Sequence, residues 1–215
     1  MLHITFQNET LILHAEKALY WSARRTLLIA DLHLGKAAHF RKEGIPVPRQ
    51  LQSRNFARLE KLLAEFAPER VLFLGDLFHS VHNESWAAFA KFLRGFPDVS
   101  FELVLGNHDI LTDSHYAEAG LTLHAEPYFM PPFILSHHPQ DELIEGFYNL
   151  HGHIHPCVYL EGRGRQYLRL PCFHFGRYHG ILPAFGEFTG MARTETYTGD
   201  RVFVVAENTV TEVTD

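Results

Sequence analysis

Apolar residues gather in short unbroken runs along this chain, and each run stops at histidine, aspartate or asparagine. TLLIA, from Thr26, ends at Asp31. VLFLGD, 71–76, ends in an acid, FELVLGNHD, 101–109, in a polar cluster, and PPFILSHHP, 131–139, in two histidines and a proline. Runs of this length without alternation predict strands buried on both faces. Two stretches between them carry apolar residues at helical spacing. One is 49–67, with Leu51, Phe56, Leu59, Leu62, Leu63 and Phe66 in register; the other is 84–96, with Gly95 near its end. Leu2–His14 alternates around Asn8-Glu9 and predicts a β-hairpin. NLHGHIHP, from Asn149, reads as a fifth strand or its exit loop. The residues after Cys157 read as further strands with Gly/Pro turns, a second sheet packed on the first.

Strand, helix and strand in alternation predict an α/β fold, βαβαβ, with mostly parallel strands. In such sheets ligands bind beyond the carboxyl ends of the strands. Those ends carry DLH (31–33), GDLFH (75–79), GNHD (106–109), SHHP (136–139) and HGHIH (151–155). Each alone fits a surface turn or a helix cap as well as a ligand set, because Asn and Asp favour both. Five in succession at five strand ends are not explained by turns. In extended backbone His151, His153 and His155 share a face; in a loop, Gly152 lets the chain turn so that the rings converge differently. Imidazoles crowded in this way suit a metal ion.

The 215 residues and their 46% apolar share suit one domain, 1–215, with a substantial core. No apolar run reaches the ~18 residues of a membrane helix. MLHITFQNET is not a signal peptide. The two cysteines, Cys157 and Cys172, are too few for a disulfide framework and read as small buried residues. The expectation is a cytoplasmic protein with reduced thiols and no membrane partner. A net charge of −6 argues against a long basic groove holding duplex DNA by phosphate contacts alone. It does not exclude a phosphodiester, since two divalent ions would reverse the local field. Sixteen histidines are the outlier of the composition, and histidine is the commonest metal ligand at neutral pH.

The five motifs resemble those of the calcineurin-like metallophosphoesterases: D-x-H, G-D-x-x-H/D, G-N-H-D/E, a histidine at a strand end, and G-H-x-H. ADLHLGKAAHFRKEGIPVP (30–48), LGDLFHS (74–80) and LPAFGEFTG (182–190) are further similar to the bacterial ligase-associated DNA-damage-response phosphoesterases. The resemblance implies two packed mixed β-sheets flanked by α-helices around a two-metal site. By position it implies Asp31, His33 and His155 on one ion, Asn107, His137 and His153 on the other, and Asp76 bridging them. His138 is the alternative to His137, and His151 is left as a packed or ligand-orienting imidazole. Nitrogen and oxygen donors without cysteine suit Mn²⁺, Fe²⁺ or Zn²⁺. The expected cofactors are two divalent ions, Mn²⁺ ahead of Zn²⁺ and Fe²⁺.

The resemblance also assigns the catalytic pair. His108 would protonate the leaving alkoxide. His79, where many phosphoprotein phosphatases of the superfamily have Asp, would orient it, and a His–His pair tilts the reading toward diester cleavage. Lys36, His39 and Arg41 lie within reach of an incoming phosphate, although Lys36, Arg41 and Lys42 also fit a solvated helix face. Asp109 is expected to cap the following segment and LPAFGEFTG to be a structural turn. The implied activity is that of a two-metal-dependent phosphodiesterase or endonuclease on DNA, single-stranded for preference, in a ligase-associated repair system. DNA ligase, helicase and nuclease are the partners the resemblance implies. The alternative is a small-molecule phosphoesterase acting on nucleotides or cyclic nucleotides. A non-catalytic scaffold would need lost ligands or a lost His108, and all are kept. Tyr20-Trp21 is a candidate platform for stacked bases, against a core pair.

Overall fold

A computed structural model of the chain describes residues 1–36, 40, 44, 51–78, 84–140, 142, 144–161, 167–187 and 189–213, with backbone alone at 51, 52, 84 and 161. The first sheet follows chain order: β1 (Leu2–Phe6), β2 (Glu9–His14), β3 (Ala18–Trp21), β4 (Thr26–Ala30), β5 (Arg70–Leu74), β6 (Ser100–Val104) and β7 (Leu121–His124). β1 to β4 are antiparallel neighbours, and β4 to β7 are parallel. Helices α1 (Leu51–Phe66), α2 (Glu84–Leu93) and α3 (Asp113–Ala119) lie in the connections between the parallel strands. The hairpin and both long helices are where the hydrophobic pattern puts them; α2 stops at Leu93, short of Gly95.

The second sheet holds β8 (Tyr128–Met130), β9 (Phe133–Ser136), β10 (Tyr148–His151), β11 (Pro156–Glu161), β12 (Tyr167–Phe175), β13 (His179–Ile181), β14 (Ala192–Arg193), β15 (Arg201–Ala206) and β16 (Thr209–Val213). The predicted fourth and fifth strands are β9 and β10. They belong here rather than to the first sheet: β9 pairs in parallel with β10, and β10 in parallel with β13. A continuous apolar run identifies a buried strand but not its partner, which explains the misplacement.

Both sheets are buried for the same reason. On β5, Val71 and Phe73 face the helices beside Leu59, Leu62 and Phe89. Leu72 and Leu74 face the other way, onto Phe133, Leu135, Leu150, Phe173 and Phe203 of the second sheet. Period-two alternation thus sends apolar side chains into two separate cores. Each fully buried Leu or Phe side chain contributes about 1.5–3 kcal/mol. Tyr20 and Trp21 are also buried, and the Trp21 Nε1–H donates to Glu9 Oε2 at 2.7 Å, so the pair is core and not a stacking platform.

The LPAFGEFTG stretch ties the sheets together at one end. After β13 the chain crosses to β4, where Ala184 bridges Ala30. The Phe185 and Gly186 N–H groups donate to the carbonyls of Ala30 at 2.8 Å and Asp31 at 3.1 Å. Phe185 is fully buried, with the Arg58 guanidinium 4.1 Å from its ring centroid.

Candidate metal centre

The polar clusters meet where the strands end. Asp31 directly follows β4, Asp76 lies just beyond β5, Asn107 beyond β6, His137 directly after β9, and His153 and His155 after β10. Asp31, His33, Asp76, His153 and His155 all have φ between 47° and 66°. Side chains other than glycine rarely adopt that left-handed region. Such residues cost on the order of 1–3 kcal/mol each and persist only where the surroundings over-determine them. Here the His33 N–H donates to the Asp76 carbonyl at 2.9 Å. The His153 N–H donates to Asp31 Oδ2 at 2.9 Å, and the His108 N–H to Asp76 Oδ1 at 3.0 Å. Two glycines permit the close approach. A Cβ on Gly75, whose φ is +69°, would fall 2.3 Å from His137 Nδ1, and one on Gly152 would fall 2.5 Å from Asp31 Oδ2.

The ligand atoms form two groups around Asp76. In the first, His155 Nε2 lies 3.3 Å from His33 Nε2 and 3.4 Å from Asp31 Oδ1. In the second, His137 Nε2 lies 3.0 Å from Asn107 Oδ1 and 3.0 Å from His153 Nδ1. Asp76 turns Oδ2 toward His33, at 3.8 Å, and Oδ1 toward His137, at 3.3 Å. Every ligand expected from the sequence is therefore brought into one of the two groups or between them.

The chemistry of this donor set fits a pair of divalent cations. Asp31 Oδ1 is buried and, among the described residues, has no hydrogen-bond partner, a costly state for a carboxylate with no cation beside it. The tautomers agree. The His137 Nδ1–H donates to the Leu74 carbonyl at 3.2 Å, and the His155 Nδ1–H to the Gly190 carbonyl at 3.0 Å, so each Nε2 presents a lone pair to the centre. Carbonyl acceptors behind the ring are how metal-binding imidazoles are held. Burial, with the His137 and His138 imidazoles close by, keeps His153 below the ordinary histidine range, which favours its neutral, ligating form. Three nested groups of His and Asp have ligand atoms within 4.8 Å of one another: Asp31/His33/His155, Asp31/Asp76/His137 and His137/His138/His153.

His138 is thus close enough to share the second group. Its Nδ1–H, however, donates to Glu126 Oε1 at 2.6 Å, whereas His137 is wholly buried and faces Asn107 and Asp76. Glu126 Oε2 also accepts the N–H of His137 at 2.7 Å and of His138 at 3.1 Å. Nothing in the local sequence marks Glu126, which acts across the sheet from the β7–β8 connection. His151 is turned away. Its Nδ1–H donates to the Gly152 carbonyl at 2.9 Å, its Nε2 lies 3.1 Å from His179 Nδ1, and burial pushes its pKa down to about 3.

Asp109 reverses an expectation. It does not cap α3; its Oδ1 accepts the N–H of Leu77 at 3.0 Å and of Phe78 at 3.3 Å, and Oδ2 that of Gly106 at 2.9 Å. It binds the Asp76 loop to the Asn107 loop, and burial pushes its carboxyl up to about 7. His108 is 45% exposed at the edge of the centre, with Nε2 3.9 Å from Asp76 Oδ2, so it is open to a substrate. Lys36 is half-buried; burial lowers its pKa, and the charges of Asp76 and Asp31 counter part of that lowering. His79, His39, Arg41 and Lys42 lie outside the described residues.

The donor set and its place at the strand ends define a metal-dependent phosphoester hydrolase. A family model for calcineurin-like phosphoesterases matches residues 24–196. Among solved structures, the nuclease MPE of Pseudomonas putida is similar over 95% of this chain and 96% of its own, at 35% identity and a TM-score of 0.79. YfcE, a phosphoesterase from E. coli, is similar over 87% of this chain and 97% of its own, at 16% identity and a TM-score of 0.45. A protein of unknown function from Aquifex aeolicus is similar over 65% of this chain and 82% of its own, at 18% identity and a TM-score of 0.43. No curated protein sequence matches. The chain belongs to the calcineurin-like phosphoesterase family and hydrolyses phosphoesters with divalent metal ions. Among the described residues no helix is long and apolar enough to cross a membrane.

Proposed function

We propose that the protein is a phosphodiesterase that cleaves DNA, preferentially single-stranded. The observation that carries the reading is the meeting of seven ligand residues, Asp31 among them with a buried oxygen that has no hydrogen-bond donor among the described residues. Asp31, His33 and His155 would hold one ion and Asn107, His137 and His153 the other, with Asp76 between. Ions there would supply Lewis acidity toward the phosphoryl oxygens and make a water acidic enough to attack at neutral pH. Two ligand carboxylates against two dications leave net positive charge for a diester. Mn²⁺ is the proposed metal, Zn²⁺ and Fe²⁺ its competitors.

The chain's own work at the leaving side falls to His108. Its backbone N–H is anchored on Asp76 Oδ1, which holds the residue at the rim, where the exposed ring would deliver a proton to the departing alkoxide. His79 would orient it. DNA as substrate is supported by the 35% identity to the Pseudomonas putida nuclease. A cytoplasmic place in a ligase-associated repair system, acting beside DNA ligase, helicase and nuclease from one domain of 1–215, rests on the 30–48, 74–80 and 182–190 motifs. The net charge of −6 favours the competing reading, a nucleotide or cyclic-nucleotide phosphoesterase.

Hydrolysis of single-stranded DNA and of bis-p-nitrophenyl phosphate, in Mn²⁺ and in chelator, separates the two. Both substrates should be cut in Mn²⁺ and neither in chelator. Cleavage of the aryl diester and nucleotides with none of DNA would establish the small-molecule reading instead.

A further inference from the structure

Only half of β12 covers the first sheet. Phe173 and Phe175 fill the core between the sheets, and the residues alternating onto the same face toward the other end of the strand are Pro171, Arg169 and Tyr167. β11 pairs with that end, with Cys157 opposite Pro171 and Tyr159 opposite Arg169. On its other flank β14 sets Arg193 opposite Cys157. β11 begins at Pro156, the residue after His155. The inner face of the second sheet therefore runs from the core, past the candidate metal centre, and out into solvent at Tyr159.

In this overhang an arginine from each neighbouring strand packs on one tyrosine. The Arg169 guanidinium lies 5.1 Å and that of Arg193 5.6 Å from the Tyr159 ring centroid. Both arginines are exposed, and no carboxylate among the described residues pairs with either. Tyr167, next along the face, is 61% exposed. In a chain of net charge −6, two unneutralised arginines beside the centre are a local reversal of sign. A guanidinium stacked on an aromatic ring keeps its N–H edges outward for phosphate oxygens and offers its plane to a base. Tyr159 is four residues from His155, ~13 Å along the strand, a span of about four stacked nucleotides.

We infer that this Arg169–Tyr159–Arg193 row is the landing surface for the single strand that flanks the scissile phosphate. The inference rests on the nuclease reading above. Phosphates on either side of one base meet the two guanidinium groups, and the aromatic groups take bases without regard to sequence. Recognition is of a flexible single strand, because the surface is a short ribbon and not a groove shaped to a duplex.

The test uses the metal-loaded full chain and a fluorescein-labelled oligothymidylate, with binding read by anisotropy across a salt series. Arg169→Glu/Arg193→Glu and Tyr159→Ala should each weaken binding about tenfold or more. The charge-reversed pair should also flatten the slope of log affinity against log salt by about 1.4. KM for DNA should rise with kcat held, Tyr159→Phe should bind as the parent does, and hydrolysis of bis-p-nitrophenyl phosphate should be unchanged in all. Variants that bind the oligonucleotide as tightly as the parent overturn the landing surface and leave the nuclease reading standing. Equal losses on DNA and on the aryl diester would give the row a structural role and overturn it too. A parent protein that cuts the aryl diester yet neither binds nor cuts DNA overturns the nuclease reading, and the surface with it.

Discussion

Asp31 Oδ2 accepts the backbone N–H of His153 at 2.9 Å across 122 positions of sequence, so one carboxylate joins the end of β4 to the HGHIH segment. Its other oxygen, Oδ1, is buried with no donor among the described residues and lies 3.4 Å from His155 Nε2. One oxygen fixes the backbone and the other is left for a cation.

Stability should therefore follow metal loading. Protein stripped with EDTA and titrated with Mn²⁺ should melt at progressively higher temperature, gaining about 2.7 kcal/mol at a hundredfold excess over Kd. Asp31→Asn should lose most of that gain. A melting temperature indifferent to Mn²⁺ would remove Asp31 from the ligand set.

Gly152 explains why HGHIHP places a glycine between its first two histidines. A Cβ there would stand 2.5 Å from Asp31 Oδ2 and 2.9 Å from Ala30 Cβ. Gly152→Ala is expected to lower Mn²⁺ affinity about 10- to 100-fold, as loss of a ligand-supporting contact does. Titration calorimetry reads this directly, and circular dichroism should show the fold retained. Unchanged affinity would mean that the loop relaxes around the methyl group.

His108→Ala should discriminate between leaving groups. An alkoxide needs a proton that a p-nitrophenolate does not, so DNA cleavage should fall by about 10²–10⁴-fold and aryl diester hydrolysis far less. Equal losses on both substrates would point to stabilisation of the phosphoryl group in place of proton delivery.

Lys17 sets a dependence on pH that has nothing to do with metal. Burial, with Arg58 beside it, holds its ammonium down to about 7, and Nζ donates to the Gly186 carbonyl at 3.1 Å. Between pH ~7 and ~10 the unfolded chain keeps this proton while the folded chain gives it up, so the stability this lysine contributes climbs with pH. Below 7 both forms are protonated and the contribution is flat. The slope must be less than ~1.4 kcal/mol per pH unit, the limit for one site. Urea unfolding at pH 7.5 and 9.5 should show the parent gaining stability relative to Lys17→Met as pH rises, the buried thiols of Cys157 and Cys172 acting alike in both; parallel behaviour of the two would refute it.

What the sequence made legible follows from what periodicity records. The runs at β4, β5 and β6 are buried on both faces, and their polar ends show as breaks in the hydrophobic pattern, so the candidate ligands could be read in order. Sheet membership could not: β9 and β10 look like further strands of the first sheet, and only the pairing of β10 with β13, long after it in the chain, and of β9 with β10 places them in the second. Contacts made by one side chain to distant backbone are equally silent. Asp109 looks like a helix cap and instead holds Leu77, Phe78 and Gly106, and Glu126 has no motif around it. The left-handed backbone at Asp31, His33, Asp76, His153 and His155 is likewise imposed by tertiary hydrogen bonds, since no glycine advertises it.

The division of the donors between the sheets has a mechanical side. Asp31, His33, Asp76 and Asn107 come from the first sheet, and His137, His153 and His155 from the second. Each cation held here would be a rivet through both leaves of the sandwich, driven in at the one end where apolar packing gives way to polar side chains. Unfastening it leaves that end held by the crossing at Ala184–Gly186 while the far end stays packed, so the amides nearest the seam should be the first to exchange with solvent.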